Sequence, residues 1–339
     1  MVARAPRANG ALSLEPGLRI FGGPSGAVTW AGSGRTAFAA GGVLGENREG
    51  MLRGFSSSLK AAGYRRALLF PLQEDEREAC QAGHFPSIHV GMEAFLTNET
   101  FGLAGKRYVD LRQMLNRAKK RHGLAVWEVH PPKGREGLEA LHGRWLLTRP
   151  TWKPMALVVG SPCFDAPLGR RYFAVGAQGS GVAQAFITVT PGWSGDGWGL
   201  DVMARDPGAS AGAMELVITE TIGRLFDEGA NLFSLGAAPL YPGPGKAAGG
   251  SHRLERIMGW IYRNALANRF FHFKALARFK MKFAPQWEPV YIGMWPKPSF
   301  RALYGACRMW GLFGEARLDS PRGGSLEWVA GSARMGADE

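Results

Sequence analysis

The sequence contains few cysteines and no apolar run long enough to cross a membrane. Cys80, Cys163 and Cys307 are the three cysteines among 339 residues, and they lie far apart. Because an odd, scattered set suits neither a disulfide framework nor a zinc site, we expect a protein of a reducing cytoplasm. No stretch of about 18 consecutive apolar residues occurs, and residues 1–17 have no apolar core. The sequence therefore predicts neither a transmembrane helix nor a secretory signal.

Acidic residues are scarce relative to basic ones. The chain has 28 aspartates and glutamates against 41 lysines and arginines, which gives a formal net charge of +13. Such an excess indicates an anionic partner, for which nucleic acid and an anionic membrane surface are the two candidates. A basic composition without any specific anionic partner is the third interpretation. Net charge alone does not choose among them.

Motifs that would define other enzyme classes are missing from the sequence. The Gly/Pro loop at residues 241–246 lacks the spacing of a phosphate-binding loop, because Leu240 stands where the first glycine should be and Ala247 follows the lysine. Residues 178–181 read Gln-Gly-Ser-Gly, which resembles an acyl-CoA pyrophosphate loop. The strand-like residues after them predict a hairpin turn instead. The sequence also has no recognisable nucleophile triad or metal-ligand cluster.

The hydrophobic pattern predicts strands and helices that alternate along the chain. Helices are predicted over 46–62 and 106–122, and strands over 67–70 and 85–90. This alternation is typical of an α/β fold, and a run of prolines after residue 149 indicates a boundary. The predicted organisation is a flexible tail at 1–17, a first half at 18–150, a second half at 151–314 and a second tail at 315–339.

The predicted helix over 106–122 is strongly basic. Tyr108 and Leu111 belong to its apolar stripe, whereas Arg112 and Arg117 belong to the basic residues that cover much of the remaining surface. A run of charge on a helix is either a solvated face or a face that contacts phosphates. Both interpretations stay open at this stage.

A second informative stretch runs over residues 231–291. An apolar strand ends at Gly236, which allows the backbone to approach another group closely. In the helix that follows, Arg278 and Lys282 lie on a basic stripe, whereas Lys280 falls among the apolar positions. A lysine aimed at apolar surroundings must extend to solvent, find a partner or change its pKa. Lys280 is therefore either an edge residue of the core or a pocket residue that meets an anionic group.

This stretch resembles the C-terminal catalytic domain of the phosphatidylglycerol lysyl- and alanyl-transferases, the multiple peptide resistance factor family. That family carries Leu-Gly-Met-Ala-Pro-Leu, and this chain reads Leu-Gly-Ala-Ala-Pro-Leu over 235–240. A later family motif, Lys-x-Lys-Phe-x-Pro-x-Trp-Glu-Pro-x-Tyr, is matched over 280–291. The order and spacing of the two motifs make the resemblance specific.

Elsewhere the match to the family is partial. Residues 91–94 read Gly-Met-Glu-Ala where the family has Gly-Glu-Glu-Ala, and the family's Leu-Arg and Asn-Arg pairs are matched at Arg112 and Arg117. The family's arginine after Asp-Leu-Met is displaced by one residue to Arg205, and Glu215 replaces an aspartate. A Glu-x-Gly-Phe-Ser segment of the family is absent, which leaves the contacts of that segment unassigned.

The resemblance implies a tandem pair of N-acetyltransferase-like (GNAT) folds in one chain. It also implies transfer of an aminoacyl group from aminoacyl-tRNA to a hydroxyl of a membrane lipid such as phosphatidylglycerol. Because an aminoacyl ester is already activated, we expect no cofactor and no metal. Three alternatives stay open: a soluble small-molecule acceptor with the same donor, a non-catalytic RNA- or membrane-binding protein, and an acyl-CoA-dependent acyltransferase.

The resemblance and the side-chain chemistry together single out candidate site residues. Lys280 and Arg205 are predicted to stabilise anionic groups or the oxyanion, and Asp201 to hold the amino group of the aminoacyl moiety. Asp201 and Glu215 would equally suit structural positions at a strand end and in a first helical turn. The predicted substrate-binding residues are Arg112, Arg117, Glu215, Gly236, Tyr241, His252, Arg278, Lys282 and Trp287.

The same resemblance sets the expected partners and location. The partners are aminoacyl-tRNA and either an anionic phospholipid or a small-molecule acceptor. A cytoplasmic protein is expected, either free or bound peripherally to the inner face of the cell membrane.

Overall fold

A computed structural model describes most of the chain. The described residues are 12–13, 17–23, 26–148, 161–165, 169–244, 253–265, 268–269 and 272–310. Within them the predicted alternation of strands and helices is present. The predicted tails lie almost entirely outside the described residues.

Eleven strands among the described residues form one sheet with the order β1-β2-β3-β4-β11-β5-β10-β9-β8-β7-β6. In chain order they are β1 (Arg19–Gly23), β2 (Gly26–Ser33), β3 (Thr36–Gly45), β4 (Arg66–Leu72), β5 (Ser87–Thr97), β6 (Leu124–Val129), β7 (Arg171–Ala177), β8 (Ala185–Gly192), β9 (Gly197–Arg205), β10 (Leu232–Pro239) and β11 (Gln286–Trp295).

Helices cover both faces of this sheet. Those in the described residues are α1 (Arg48–Ala61), α2 (Arg77–Ala82), α3 (Val109–Asn116), α4 (Arg135–Leu147), α5 (Ala213–Asp227), α6 (Arg253–Arg263), α7 (Phe273–Met281) and α8 (Phe300–Met309). A π-helical turn over Arg117–Arg121 continues α3.

The sheet contains two copies of one arrangement. In the first copy β3 and β4 are parallel and joined through α1, and in the second β9 and β10 are parallel and joined through α5. The last strands of the copies are exchanged, because β11 lies between β4 and β5, and β5 lies between β11 and β10. The predicted fold class, two N-acetyltransferase-like halves in one chain, is confirmed, and the exchange joins the halves into a single sheet.

Alternation along β3 shows how the sheet separates two layers of core. Ala37 and Ala39 pack with α1, whereas Phe38 and Ala40 pack with α6 and α8 on the opposite face. Successive side chains of a strand point to opposite faces, so both sides of this strand are apolar and buried. In the second half, α3 and α5 cover one face and α4 covers the other.

The predicted hairpin and the second predicted strand are both present in the structure. The hairpin predicted around residues 178–181 is confirmed, because β7 and β8 pair antiparallel. The strand predicted over 85–90 is longer than expected and continues to Thr97 as β5. The boundary predicted at 150/151 stays a prediction, since residues 149–160 are not described. β6, which precedes that boundary, pairs with β7 of the second half.

Candidate active site

The centre of the sheet contains a bulge where the parallel strands β9 and β10 separate. Their pairing ends at Ser234 opposite Gly199, and the pairing of β10 with β5 shifts in register between Ser234 and Ala237. Gly236 lies in this bulge with φ of +79°, a conformation that residues with a β-carbon rarely adopt. A β-carbon there would lie 3.6 Å from Nζ of Lys280. The bulge therefore brings backbone close to this lysine.

Lys280 is buried against the bulge. Only 3% of the surface of Lys280 is exposed to solvent, and its Nζ donates a hydrogen bond to the carbonyl oxygen of Ala237 at 2.6 Å. The side chain is buried because Lys280 shares a face of α7 with apolar residues such as Ala277. Burial lowers the pKa of Lys280 to about 7, and the nearby charge of Glu93 acts in the opposite direction. Near neutral pH the amine therefore populates both the charged and the neutral form.

Glu93 is the buried carboxylate next to this lysine. Its side chain accepts hydrogen bonds from Nε2 of Gln73 and from Oγ of Ser234, both at 2.5 Å. The backbone N–H of Gly236 donates to the same Ser234 oxygen at 2.9 Å. This network connects the bulge in β10 to β5 and to the end of β4, and it holds the carboxylate in one position.

Sequence reasoning did not select Glu93 as a site residue. The strand predicted over 85–90 stops before Gly91, so Glu93 was placed in a connecting segment. The available signal was the partial match of residues 91–94 to the family motif Gly-Glu-Glu-Ala. Gln73 and Ser234 carry no sequence signal of their own.

A small acidic groove lies beside this network. Gln73, Glu74, Asp75, Glu288 and Pro289 line a space of about 240 Å³. Glu288 is the cross-strand neighbour of buried Glu93, and Oε1 of Gln73 is buried without a hydrogen-bond partner in the described part of the chain. That oxygen is buried, and Glu74 is paired with Arg77 at 2.7 Å, so the groove attracts a cation through the combined negative charge of its three carboxylates.

Three aromatic side chains form a cluster at the start of β11. The rings of Tyr241 and Trp287 are 4.8 Å apart, and those of Tyr241 and Tyr262 are 6.2 Å apart. Burial raises the pKa of both tyrosines, while the positive charge of exposed Arg278 partly opposes the rise at Tyr262. The structure thus brings together Tyr241 and Trp287, both predicted substrate-binding residues, and α6 contributes Tyr262.

Glu215 and Lys282, also predicted to bind substrate, form an ion pair with each other. Nζ of Lys282 lies 2.7 Å from Oε1 of Glu215 in the first turn of α5. The acidic residue balances the helix dipole at this end.

The start of α5 is also closely packed. The carbonyl oxygen of Met114 lies 2.9 Å from the position a β-carbon would take at Gly212. A pyrophosphate at this helix end would therefore meet a carboxylate and a closely packed neighbour, which argues against the acyl-CoA alternative.

Asp201 is placed in a different environment from Lys280. Its Oδ2 lies 3.0 Å from Nε of Arg170 and accepts a hydrogen bond from Thr188 Oγ1 at 3.0 Å. The two side chains of the ion pair are 8% and 1% exposed. These contacts fit the structural interpretation of Asp201, and its role toward an amino group remains a prediction.

The remaining predicted residues are dispersed. Arg112 donates hydrogen bonds to the carbonyl oxygens of Leu103 at 2.5 Å and Gly105 at 2.8 Å, so it fixes the loop before α3. Arg117 and Arg205 are exposed, the latter at the end of β9. His252 lies outside the described residues. Of the whole predicted set, the structure brings Gly236 next to Lys280, Tyr241 next to Trp287, and Glu215 next to Lys282.

The exchanged sheet with a lysine at the separated strands defines a tandem N-acetyltransferase-like protein. Within that class the relationship is specific: the chain belongs to the family described as phosphatidylglycerol lysyltransferase, C-terminal, which it matches over residues 18–293.

Two similar proteins support this membership. A lysylphosphatidylglycerol biosynthesis bifunctional protein LysX of a Mycobacterium species is 29% identical over 229 residues, which cover 63% of this chain and 20% of that relative. A phosphatidylglycerol lysyltransferase of Bacillus subtilis is 28% identical over 206 residues, which cover 60% of this chain and 23% of that protein. This chain thus spans about a fifth of the length of these relatives.

A solved structure shows the same fold. It is the C-terminal domain of a protein named as a lysylphosphatidylglycerol synthetase of Agrobacterium fabrum, with a TM-score of 0.75 and 22% identity. The superposition covers 91% of this chain and 94% of that domain.

Proposed function

We propose that this chain transfers an aminoacyl group from aminoacyl-tRNA to a hydroxyl of an anionic lipid such as phosphatidylglycerol. The observation that carries the proposal is the buried Lys280 beside Glu93 at the point where β9 and β10 separate. Family membership and the names of the relatives support the lipid acceptor. The positive net charge of +13 suits both a tRNA donor and an anionic lipid.

In the proposed reaction Lys280 carries a proton between the two substrates. The acceptor hydroxyl oxygen attacks the carbonyl carbon of the aminoacyl ester while the neutral amine of Lys280 takes the hydroxyl proton. The bond between that carbon and the tRNA ribose oxygen then breaks, and the ribose oxygen receives the proton from the lysine ammonium. One ester replaces another, so the step needs no oxidant, water or energy source.

The acidic groove favours a positively charged aminoacyl group. Three carboxylates line it, those of Glu74, Asp75 and Glu288, and their combined charge would attract an ammonium group although Glu74 is also paired with Arg77. The names of the relatives specify lysyl transfer. We therefore propose a lysyl group as the preferred cargo, with Glu288 as one of the residues that select it.

A transfer assay tests the donor, the acceptor and the cargo separately. The protein is incubated with vesicles that contain phosphatidylglycerol and with tRNA charged with labelled lysine or labelled alanine, and label is followed into the organic phase. We expect lysine label in lipid, and we expect ribonuclease treatment of the donor to abolish it. Lipid labelling that persists after ribonuclease would contradict the tRNA donor.

The same assay separates the proposal from a soluble acceptor. The absence of the Glu-x-Gly-Phe-Ser segment leaves a soluble hydroxyl compound as the second candidate acceptor. If label leaves tRNA only when a water-soluble cell extract is added, and none enters lipid, the soluble acceptor is correct. If label never leaves tRNA in a protein-dependent manner, the transferase proposal is wrong.

A further inference from the structure

Helices α6 and α8 share one face of the first half and expose apolar side chains to solvent. They pack on the sheet through one cluster that includes Leu254, Ala302 and Ala306. Eight large hydrophobic side chains of the described residues are exposed, and half of them lie on these two helices. They are Trp260 at 60%, Tyr304 at 58%, Phe300 at 53% and Ile257 at 36% exposure. We call the outer surface of these two helices the α6/α8 face.

Arginines surround the exposed rings of the α6/α8 face. The single carboxylate of the two helices, Glu255, accepts a hydrogen bond from the backbone N–H of His89 at 2.9 Å, so it is held against β5. The outer surface of the two helices is therefore basic and apolar without an opposing carboxylate of its own. The exposed arginines of the two helices are Arg253, Arg256, Arg263, Arg301 and Arg308.

A basic groove extends this surface along α8. It has a volume of about 620 Å³ between α8 and the turn that joins β2 and β3, and it is lined by Arg35, Arg66, Arg301 and Arg308 together with the rings of Phe300 and Tyr304. None of these four guanidinium groups forms an ion pair with a carboxylate in the described ranges of the chain. Four unpaired guanidinium groups around one groove are suited to phosphate oxygens.

We propose that the α6/α8 face binds the surface of an anionic phospholipid bilayer, with its exposed rings at the interface and its arginines on lipid phosphates. The inference rests on the proposed lipid acceptor and adds the surface by which the enzyme reaches it. Aromatic and apolar residues framed by arginines are the pattern of helices that lie in a membrane interface. None of the helices in the described residues is long and apolar enough to cross a bilayer.

The α6/α8 face is also continuous with the candidate site. Tyr262 of α6 contacts Tyr241, which contacts Trp287 at the start of β11. A bilayer bound at this face would thus be linked through these rings to Trp287, which directly precedes Glu288 of the acidic groove.

RNA is the other polyanion to consider for a basic surface, and a different region suits it better. The segment 117–121 exposes Arg117, Lys120 and Arg121 and has no exposed aromatic ring. Its charge would serve phosphate contacts without apolar insertion. Unpaired RNA bases can stack on aromatic rings, but the exposed aliphatic side chain of Ile257 on the α6/α8 face has no such use in RNA binding. The apolar content of the face therefore favours a bilayer.

The test compares vesicle flotation of three proteins. The first is the parent chain, the second carries Trp260→Ser, Phe300→Ser, Arg301→Gln and Arg308→Gln, and the control carries Arg117→Gln and Lys120→Gln. On vesicles of phosphatidylcholine with phosphatidylglycerol, we expect the face variant to bind at least tenfold more weakly and the control to bind within about twofold of the parent. Pure phosphatidylcholine vesicles should retain little of the parent protein. Thermal unfolding of all three checks that the exposed substitutions leave the fold intact.

Two outcomes would overturn the inference. Equal flotation of the parent and a folded face variant would show that this face does not bind the bilayer. Loss of tRNA binding in the face variant, with flotation unchanged, would assign the face to RNA.

A transfer assay with monomeric short-chain phosphatidylglycerol separates this inference from the proposed function. Transfer to the monomeric lipid by the face variant should stay within about twofold of the parent, because no bilayer is involved. Another outcome is that the parent binds vesicles in a manner that depends on the α6/α8 face and yet transfers nothing to either form of the lipid. In that case the proposed function is wrong and the assignment of this face to membrane binding is retained.

Discussion

The two halves of the sheet share one topology, yet they use the point of strand separation differently. In the first half the last parallel pair is Ala40 with Phe70, and two residues further on lies Leu72, which is fully buried in apolar core. In the second half the last pair is Gly199 with Ser234, and two residues further on lies Gly236 beside Lys280. The same backbone arrangement thus holds apolar core in one half and a buried lysine amine in the other.

This difference shows how a repeated fold divides its tasks. Apolar packing at Leu72 stabilises the first half, whose opposite face carries the proposed membrane surface. The second half places the buried charges of Lys280 and Glu93 near the equivalent point, where burial of charge lowers stability and where the proposed chemistry would take place.

Leu72→Ala should reduce stability without removing the chemistry. Leu72 has no exposed surface and packs in the α1 side of the core. A cavity of this kind costs about 2–5 kcal/mol of unfolding free energy. Chemical denaturation measures the loss, and transfer per folded molecule should stay within about threefold of the parent. A loss of more than about tenfold in transfer per folded molecule would refute the division of tasks between the halves.

Lys280 should make the stability of the protein rise with pH above neutrality. Burial lowers its pKa from 10.5 to about 7 in the folded protein. Between these two values the unfolded chain binds the additional proton, so the free energy of unfolding increases as pH rises from about 7 toward 10.5. Lys280→Met should lack this increase.

Denaturation of the parent and of Lys280→Met at pH 7 and pH 9 measures that difference. One additional proton bound by the unfolded chain over these two pH units changes the free energy of unfolding by at most about 2.7 kcal/mol. Other groups titrate equally in both proteins, so the parent should gain stability relative to the variant on going to pH 9. An identical pH dependence in the two proteins would show that Lys280 titrates as an ordinary lysine.

Gly236→Ala should weaken transfer more than it weakens the fold. The positive φ of +79° imposes a strain of about 1–2 kcal/mol on a residue with a β-carbon. The new methyl group would also lie 3.6 Å from Nζ of Lys280, where the proposed reaction requires substrate to approach. We expect at least a tenfold fall in transfer to lipid, measured at saturating tRNA. Unchanged transfer would place the substrate path elsewhere.

Lys282→Met should have the smallest effect on stability. The Lys282 side chain is 31% exposed, and its ion pair with Glu215 is partly screened by solvent. Loss of such a pair typically costs about 1 kcal/mol or less. Glu215→Gln serves as the matched change on the other side of the pair, and the double variant should cost less than the sum of the two single ones. Strict additivity would indicate that the pair contributes nothing.

Sequence patterns predicted local features of the site and missed its long-range ones. The helical wheel predicted that Lys280 lies among apolar positions, and it is buried there. The strand-ending glycine at Gly236 indicated a close backbone approach, and Lys280 is the group approached. Both inferences depend on residues that are near in sequence.

The missed features depend on contacts across the chain. The exchange of β5 and β11 pairs Glu93 with Glu288, which are almost 200 residues apart, and no local periodicity encodes that pairing. Glu93 was missed because the glycine at 91 interrupts the apolar run before the strand ends. The family motif indicates Asp201, whereas its partner Arg170 directly precedes β7 and reaches Asp201 only because β7 pairs with β8 and β8 pairs with β9.

The measurement that tests the central claim most directly compares two lysines at the same end of α7. Single-turnover transfer of labelled lysine from tRNA to phosphatidylglycerol is measured for the parent, Lys280→Met and Lys282→Met, each shown to be folded. If Lys280 carries the proton in the reaction, its loss should slow transfer by at least 100-fold, whereas the loss of Lys282 should slow it by less than about tenfold. Transfer by Lys280→Met at a rate near that of Lys282→Met would contradict the account.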